Sequence, residues 1–335
     1  MEPVVRRIGV LTSGGDAPGM NAAVRAVVRT AVGENVECVG IRRGWNGLIN
    51  NDFEVMNGSS VSNIINKGGT ILYTARSEEF KTPEGRDKAL NTCKLLGLEG
   101  IVAIGGDGTF RGALALSRQA AEEGIRLQVV GIPGTIDNDI GCSHYTIGFD
   151  TACNTAVECI DRLRDTMQSH ERCSVVEVMG REAGHLALYV GISVGATAVL
   201  IPERPVDFEQ DVAENIRRAR LAGATHYMVV VAEGAGSAYD IAAKIHSDLG
   251  IEPRVTVLGH IQRGGSPTAR DRETASRMGY EAAMSLMEGR GNRVIAMRDG
   301  HIVDLDMEEA LAMKKTFPME RYDILEALTN NHVMG

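Results

Sequence analysis

Short β-branched runs alternate along this chain with longer segments whose apolar residues recur every three or four positions. The runs Ile8–Thr12, Glu37–Ile41, Ile101–Ile104, Gln128–Ile132, Ser174–Val178, Ala198–Ile201, Tyr227–Ala232 and Arg254–Leu258 predict strands. The helical spacing predicts helices over Gly19–Val32, Arg86–Leu96, Gly112–Glu123, Thr151–Met167, Gly184–Val194, Phe208–Ala222, Ala238–Leu249 and Thr274–Met287, with a short one at Val61–Asn66. A βαβα order of this kind argues for α/β layers with largely parallel sheets. The longest uncharged stretch, Leu186–Pro202, is interrupted by Gly191 and Gly195 and falls short of the ~20 apolar residues of a membrane span. It reads as a buried helix followed by a strand.

Length and composition narrow this picture. With 335 residues, and roughly 150 per domain, about two domains are expected. Aromatics are scarce at 4% while glycines number 39, which suits tight strand-to-helix turns around cores of small aliphatic side chains. The net charge is −9 with no block of Lys and Arg, so nucleic acid is not an expected partner. An anionic ligand would have to meet positive charge that is local. The six cysteines, Cys38, Cys93, Cys142, Cys153, Cys159 and Cys173, have no metal-like spacing and read as reduced, mostly buried thiols. No signal segment or membrane span is read from the sequence, and a cytoplasmic location is expected.

The candidate chemistry lies where predicted strands end. One strand runs into Ser13-Gly14-Gly15-Asp16, a second into Gly105-Gly106-Asp107-Gly108-Thr109, and a third into Pro133-Gly134-Thr135. Carboxyl ends of strands line the ligand crevice of open α/β sheets, so three such turns suggest one shared crevice. Glycines let backbone approach a phosphate, and a helix start offers unpaired N–H groups. Asp107 could hold Mg²⁺, which takes one or two carboxylates besides phosphate oxygens. A tight glycine turn is the bland alternative. There is no Gly-Lys pair, which disfavours a P-loop. In Thr135-Ile136-Asp137-Asn138-Asp139, one carboxylate could take a proton from an attacking hydroxyl while the other orients it; an Asx-rich turn is the alternative. His260-Ile261-Gln262-Arg263 could grip a phosphomonoester or be a surface pair. The arginines Arg162, Arg164 and Arg172 could equally be a solvated helix face.

Taken together, Ser13–Asn21, the segments GGDGT and PGTIDND, Val178-Met179-Gly180-Arg181 and Gly259–Gly265 resemble the bacterial phosphofructokinases in order and spacing, from about Ile8 to about Leu328. The resemblance implies two Rossmann-like three-layer αβα domains with largely parallel sheets. Residues 1–147 plus 261–311 would bind nucleotide, and 148–260 plus 312–335 would bind the sugar phosphate. It implies phosphoryl transfer from ATP to fructose 6-phosphate. Gly15, Arg76, Ser77, Gly106, Asp107, Gly108 and Thr109 would serve the nucleotide, with Asp107 on Mg²⁺. Asp137 would be the base, with Thr135, Asp139, Arg76 and Arg181 assisting. The sugar phosphate would lie against Thr135, Ile136, Asp137, Arg172, Met179, Gly180, Arg181, Glu233, Arg254, His260 and Arg263. Arg172 and Arg254 would come from a neighbouring subunit, in a homotetramer. The pattern departs from the family at Ser77 and at Trp45, which leaves the adenine contacts open. A second, effector site is implied, matched by Arg25, Arg29, Arg164 and His226. Gly58, Thr197, Ala222 and Ala224 there replace charged residues, so weak control by ADP and phosphoenolpyruvate is expected. A pyrophosphate-dependent enzyme is the near alternative, although Gly108 and Gly134 stand where it typically carries Asp and Lys. A silent regulatory paralogue is another. An NAD kinase, suggested by GGDGT alone, leaves the other motifs without a role.

Overall fold

Strand burial follows directly from the β-branched runs. Ile101–Ile104 and Val129, Val130 and Ile132 are fully buried, as expected of parallel strands covered on both faces. The computed structural model describes residues 3–170 and 172–329. Its strands are β1 (Arg7–Thr12), β2 (Glu37–Ile41), β3 (Phe53–Met56), β4 (Gly100–Gly105), β5 (Gln128–Pro133), β6 (Cys173–Val178), β7 (Ala198–Leu200), β8 (Tyr227–Ala232), β9 (Pro253–Val257), β10 (Arg293–Arg298) and β11 (His301–Asp306). They form one sheet in the order β11-β10-β5-β4-β1-β2-β3 and a second in the order β7-β8-β6-β9. The second sheet is parallel throughout. The first is parallel except for its two edge strands, β3 and β11.

The chain divides into two units. The first holds the chain up to Thr135, Ile140–Thr151 and Arg263–Lys315; the second holds Ile136–Asp139, Ala152–Gln262 and the chain from Thr316 onward. In the first, Leu11, Val39, Ile101, Phe110 and Val129 form a core with Trp45, whose ring stacks on Phe80 at 4.5 Å. Helices Met20–Gly33 and Ala269–Met287 approach closely at Gly279, where a Cβ would lie 2.6 Å from the Ala23 carbonyl. In the second, Val175, Leu200, Val229, Val231, Ile216 and Ile241 form a separate core. Among the described residues no helix is long and apolar enough to cross a membrane. All six cysteines are free thiols, and all but Cys159 are buried.

Three expectations need correction. Val61–Asn66 is not a helix; residues 57–78 carry neither helix nor strand and are held by side chains from elsewhere. Phe208–Ala222 is not one α-helix but a π-helical turn, Glu209–Ala213, running into an α-helix, Glu214–Leu221. Arg172 lies outside helix Phe149–His170, beside the start of β6. The pattern also missed β3, β10 and β11, which are edge or near-edge strands. Asp299 and Gly300, both at positive φ, close the β10–β11 hairpin, a turn chemistry that Asp-Gly favours.

Candidate active site

In the first unit the order of strands creates the crevice. β1 and β4 are neighbours, while β1 connects onward to β2 on its other side, which makes the carboxyl ends of β1 and β4 a topological switch point. Thr12 pairs with Ile104, and Gly105 with Pro133. The three turns therefore leave adjacent parallel strands at one edge of the sheet. They are joined there: Ser13 N–H donates to the Ile104 carbonyl at 2.9 Å, Gly134 N–H to the Gly105 carbonyl at 3.0 Å, and Thr109 Oγ1 to the Ser13 carbonyl at 3.2 Å. Gly105 is required by this approach, since a Cβ would lie 2.4 Å from the Ser13 carbonyl oxygen.

Asp107 opens helix Asp107–Glu122, directly after Gly106, and is partly exposed. A Cβ placed at Gly106 or Gly108 would meet nothing within 4 Å. The protein's own packing does not demand glycine at either position, and the space above the helix start is open. Among the described residues no group of three or more His, Cys, Asp or Glu side chains is poised for a metal. A cation that keeps water and phosphate oxygens needs only one or two carboxylates, and Asp107 at this open turn fits that donor set. Gly134 differs: a Cβ there would press within 3.1 Å of Met20 and 3.2 Å of Ile104.

Arg76 is exposed, at the end of a segment tethered to the first turn. Thr74 Oγ1 donates to the Gly14 carbonyl at 2.7 Å, and Thr12 Oγ1 to the Tyr73 carbonyl at 2.7 Å. Ser77 Oγ accepts from Phe80 N–H at 3.2 Å and so fixes the short turn that carries Phe80 onto Trp45. Trp45 is buried, a core residue. Arg263 belongs to the first unit, where its guanidinium donates to the Asp16 carbonyl at 3.3 Å and lies where a Gly15 Cβ would be.

Thr135 ends the first stretch of this unit, and its carbonyl accepts from Thr146 Oγ1 at 2.6 Å. Ile136 and Asp137 are buried, and Asp139 is partly exposed. Asn138 between the two carboxylates has φ 50°, a left-handed turn that Asn tolerates.

The second unit has its own switch point. β6 and β8 are neighbours, and their onward connections reach β7 and β9 on opposite sides. At their carboxyl ends, Glu233 Oε1 accepts from Gly180 N–H at 3.2 Å and Arg181 N–H at 2.6 Å. Gln262, fully buried, accepts from Met179 N–H at 2.9 Å. Gly180 (φ 144°) and Arg181 (φ 55°) form the left-handed bend that these bonds hold. Gln262 had no role in the sequence reading; its burial within an otherwise exposed turn is the signal that gives it one. His260 is exposed on that turn, Gly259–Arg263.

Arg172 and Arg254 are not brought to this edge. Arg172 precedes β6, and Arg254 on β9 pairs with Ser174 near the start of β6. Both exposed arginines therefore stand at the amino end of the sheet. Met179–Arg181 and Glu233 stand at the carboxyl end, about 23 Å away for seven residues of strand. Of the residues matched to an effector site, Arg164 donates to the Val194 carbonyl, and Thr197 Oγ1 accepts from Met228 N–H at 3.1 Å. Arg162 pairs with Glu158 one helical turn away.

Glycine turns at the switch point of a parallel sheet, beside an open helix start carrying one carboxylate, define an open α/β protein built to receive an anionic group. The family model described as Phosphofructokinase matches residues 7–286. An ATP-dependent 6-phosphofructokinase of Clostridium botulinum (strain Loch Maree / Type A3) is 51% identical over 325 residues, 97% of this chain and 100% of that protein. One of Clostridium acetobutylicum is also 51% identical over 97% of the chain. The solved phosphofructokinase of Saccharomyces cerevisiae matches 96% of this chain with a TM-score of 0.89 and 32% identity; this chain spans 50% of that longer one. A pyrophosphate-dependent phosphofructokinase from Marinobacter aquaeolei shares the fold, with a TM-score of 0.84 at 20% identity over 97% of this chain and 92% of that one. This chain belongs to the phosphofructokinase family.

Proposed function

We propose that this protein is an ATP-dependent 6-phosphofructokinase, which transfers the terminal phosphoryl group of ATP to the 1-hydroxyl of fructose 6-phosphate. The full-length likeness to proteins of that name carries the reading. The glycine turns Gly14-Gly15 and Gly106–Thr109 receive the nucleotide phosphates on backbone N–H groups, with Arg76 and Ser77 beside them. Asp107 would hold Mg²⁺, which when bound neutralises charge on the phosphates. Asp137 takes the proton of the attacking hydroxyl, assisted by Thr135 and Asp139, next to Ile136. Met179, Gly180, Arg181, Glu233, His260 and Arg263 receive the sugar phosphate, whose two negative charges suit bidentate arginine.

The position of Arg172 and Arg254 at the far edge of their sheet supports a site completed by a second copy; the assembly we propose is a homotetramer, and the location we propose is the cytoplasm. A single chain offers these two arginines away from the Met179–Arg181 bend, while a neighbour can present them to it. The open space at Gly108 supports ATP over pyrophosphate as donor, because an acidic side chain at that helix start would crowd and repel an α-phosphate. The test supplies purified protein with Mg²⁺ and fructose 6-phosphate and compares ATP with pyrophosphate at equal concentration. Turnover with ATP is expected; faster turnover with pyrophosphate would overturn the donor assignment, and none with either would overturn the reading.

A further inference from the structure

Residues 57–78 are a long stretch without helix or strand, and Arg76 stands near its end. Loops of that length in a compact domain need a cause for their order. A buried amide supplies the first part of that cause. Asn21, in the first turn of helix Met20–Gly33, is fully buried. Its Nδ2 donates to the Lys67 carbonyl at 3.0 Å and the Gly69 carbonyl at 2.7 Å, and its Oδ1 accepts from Ile71 N–H at 2.8 Å. Two carbonyls on one side and one N–H on the other leave a single orientation for the amide.

Beyond Ile71 the tethers continue toward Arg76. Thr12 Oγ1 pairs with Thr70 Oγ1 at 3.0 Å and donates to the Tyr73 carbonyl at 2.7 Å. Arg43 N–H donates to the Leu72 carbonyl at 2.8 Å. Tyr73 is held at φ 54°, a left-handed conformation that an aromatic residue adopts only when its surroundings impose it. Thr74 then donates to the Gly14 carbonyl. The segment is registered against β1 and its glycine turn from Lys67 to Thr74, two residues short of Arg76.

We infer that Asn21 is a positioning residue for Arg76: its amide fixes the 67–71 backbone, and through the Thr12 and Thr74 bonds sets where the guanidinium stands relative to the first glycine turn. The inference rests on Arg76 acting on the transferred phosphoryl group. Asn21 itself touches no substrate. Replacing it with Ala removes the partner of Ile71 N–H and of two carbonyls, and the segment loosens. A guanidinium that must meet charge developing in transfer loses more in turnover than in sugar binding.

The test is a double-mutant cycle on the full-length protein, read in kcat and in the KM for fructose 6-phosphate, with amide hydrogen exchange of the 67–76 segment alongside. Asn21→Ala is expected to lower kcat about tenfold or more while KM changes less than about twofold. Combined with Arg76→Lys it should be little slower than Arg76→Lys alone, because the second change has nothing left to misplace. Exchange at Ile71 should accelerate while β1 and β4 stay protected. Thr74→Val, which removes one exposed-side tether and spares the core, should show the same pattern at smaller amplitude and serves if Asn21→Ala does not fold. Effects that multiply in the cycle, or unchanged exchange of 67–76, would overturn the inference. If Arg76→Lys and Arg76→Ala both keep full kcat while exchange accelerates as expected, the clamp stands as a structural device, and the role of Arg76, with the positioning inference built on it, is withdrawn.

Discussion

At the scale of single residues, the chemistry proposed for this chain falls on side chains that differ sharply in exposure. Asp137 is 5% exposed, while Arg76, Arg181 and His260 are open to solvent. A base shielded from water keeps its proton transfer for the substrate, whereas arginines that grip a phosphate must be reachable. Asp137→Asn preserves shape and removes the basicity. Loss of a general base typically costs about 10²–10⁴ in rate, so kcat should fall at least ~10²-fold with little change in the KM for ATP. A variant retaining more than half of the parent kcat would remove Asp137 from that role. Neither Asn21 nor Gln262 stands out by residue type, because amides are common on surfaces. Only their burial, with backbone groups around them, marks them as scaffolding.

At the scale of elements, one buried carboxylate ties several segments of the first unit together. Asp271, in the first turn of helix Ala269–Met287, accepts from Gly148 N–H at 2.7 Å and Tyr145 Oη at 2.5 Å on one oxygen. On the other it accepts from Thr151 N–H at 2.9 Å and Thr151 Oγ1 at 2.5 Å. Helix Phe149–His170 begins at this point, where the chain leaves the unit, and helix Ala269–Met287 begins where it has just returned. Burial pushes the Asp271 carboxyl above its ordinary value of 3.8, outweighing the four hydrogen bonds that favour the charge. The folded protein then holds this proton more tightly than the unfolded chain. Its contribution to stability is largest below 3.8, declines as pH rises toward the raised value, and is level above it. Asp271→Asn removes that slope. At neutral pH it also turns an NH₂ toward N–H or O–H donors, stranding buried groups at about 1–3 kcal/mol each. Urea melts of parent and variant across acid to neutral pH should show the variant less stable at pH 7, with the gap widening toward acid. A variant as stable as the parent at neutral pH would show that the four bonds contribute nothing net.

At the scale of the whole molecule, the placement of Arg172 and Arg254 becomes a statement about assembly. Arg254 has an ion pair with Glu252 at a loose 3.9 Å, and both arginines are exposed. If a neighbour supplies them, a defect in Asp137 and a defect in Arg254 reside in different halves of a shared site. Arg254→Ala alone should raise the KM for fructose 6-phosphate, since a charge-assisted hydrogen bond is worth roughly 1.5–3 kcal/mol, about 10- to 150-fold. Co-refolding Arg254→Ala with Asp137→Asn subunits should restore activity, because a mixed two-fold interface contains one site free of both defects. Random pairing at equal ratio gives roughly a quarter of sites intact. Hybrids demonstrated by mass that remain as inactive as the separate variants would place both residues in one chain's site.

The sequence by itself determined the α/β class, most of the parallel strands and the three glycine turns. β-branched runs bounded by glycine are a local pattern, and the chemistry of a turn is written in consecutive residues. Edge strands β3 and β11 escaped because a strand with one free edge need not be a continuous apolar run; Val55 on β3 is 73% exposed. Val61–Asn66 has a helix-like pattern yet is not helical, because the order of 57–78 comes from Asn21 and Thr12, side chains distant in sequence, and from Thr74 bonded to the distant Gly14 carbonyl. That the turns after β1, β4 and β5 share one edge was suggested by their place at strand ends and decided by the strand order; the tertiary structure alone decided that Trp45 is core and that Arg172 and Arg254 stand opposite Met179–Arg181. Strand order and the direction in which each strand runs are properties of long-range pairing, and spacing along the chain does not encode them.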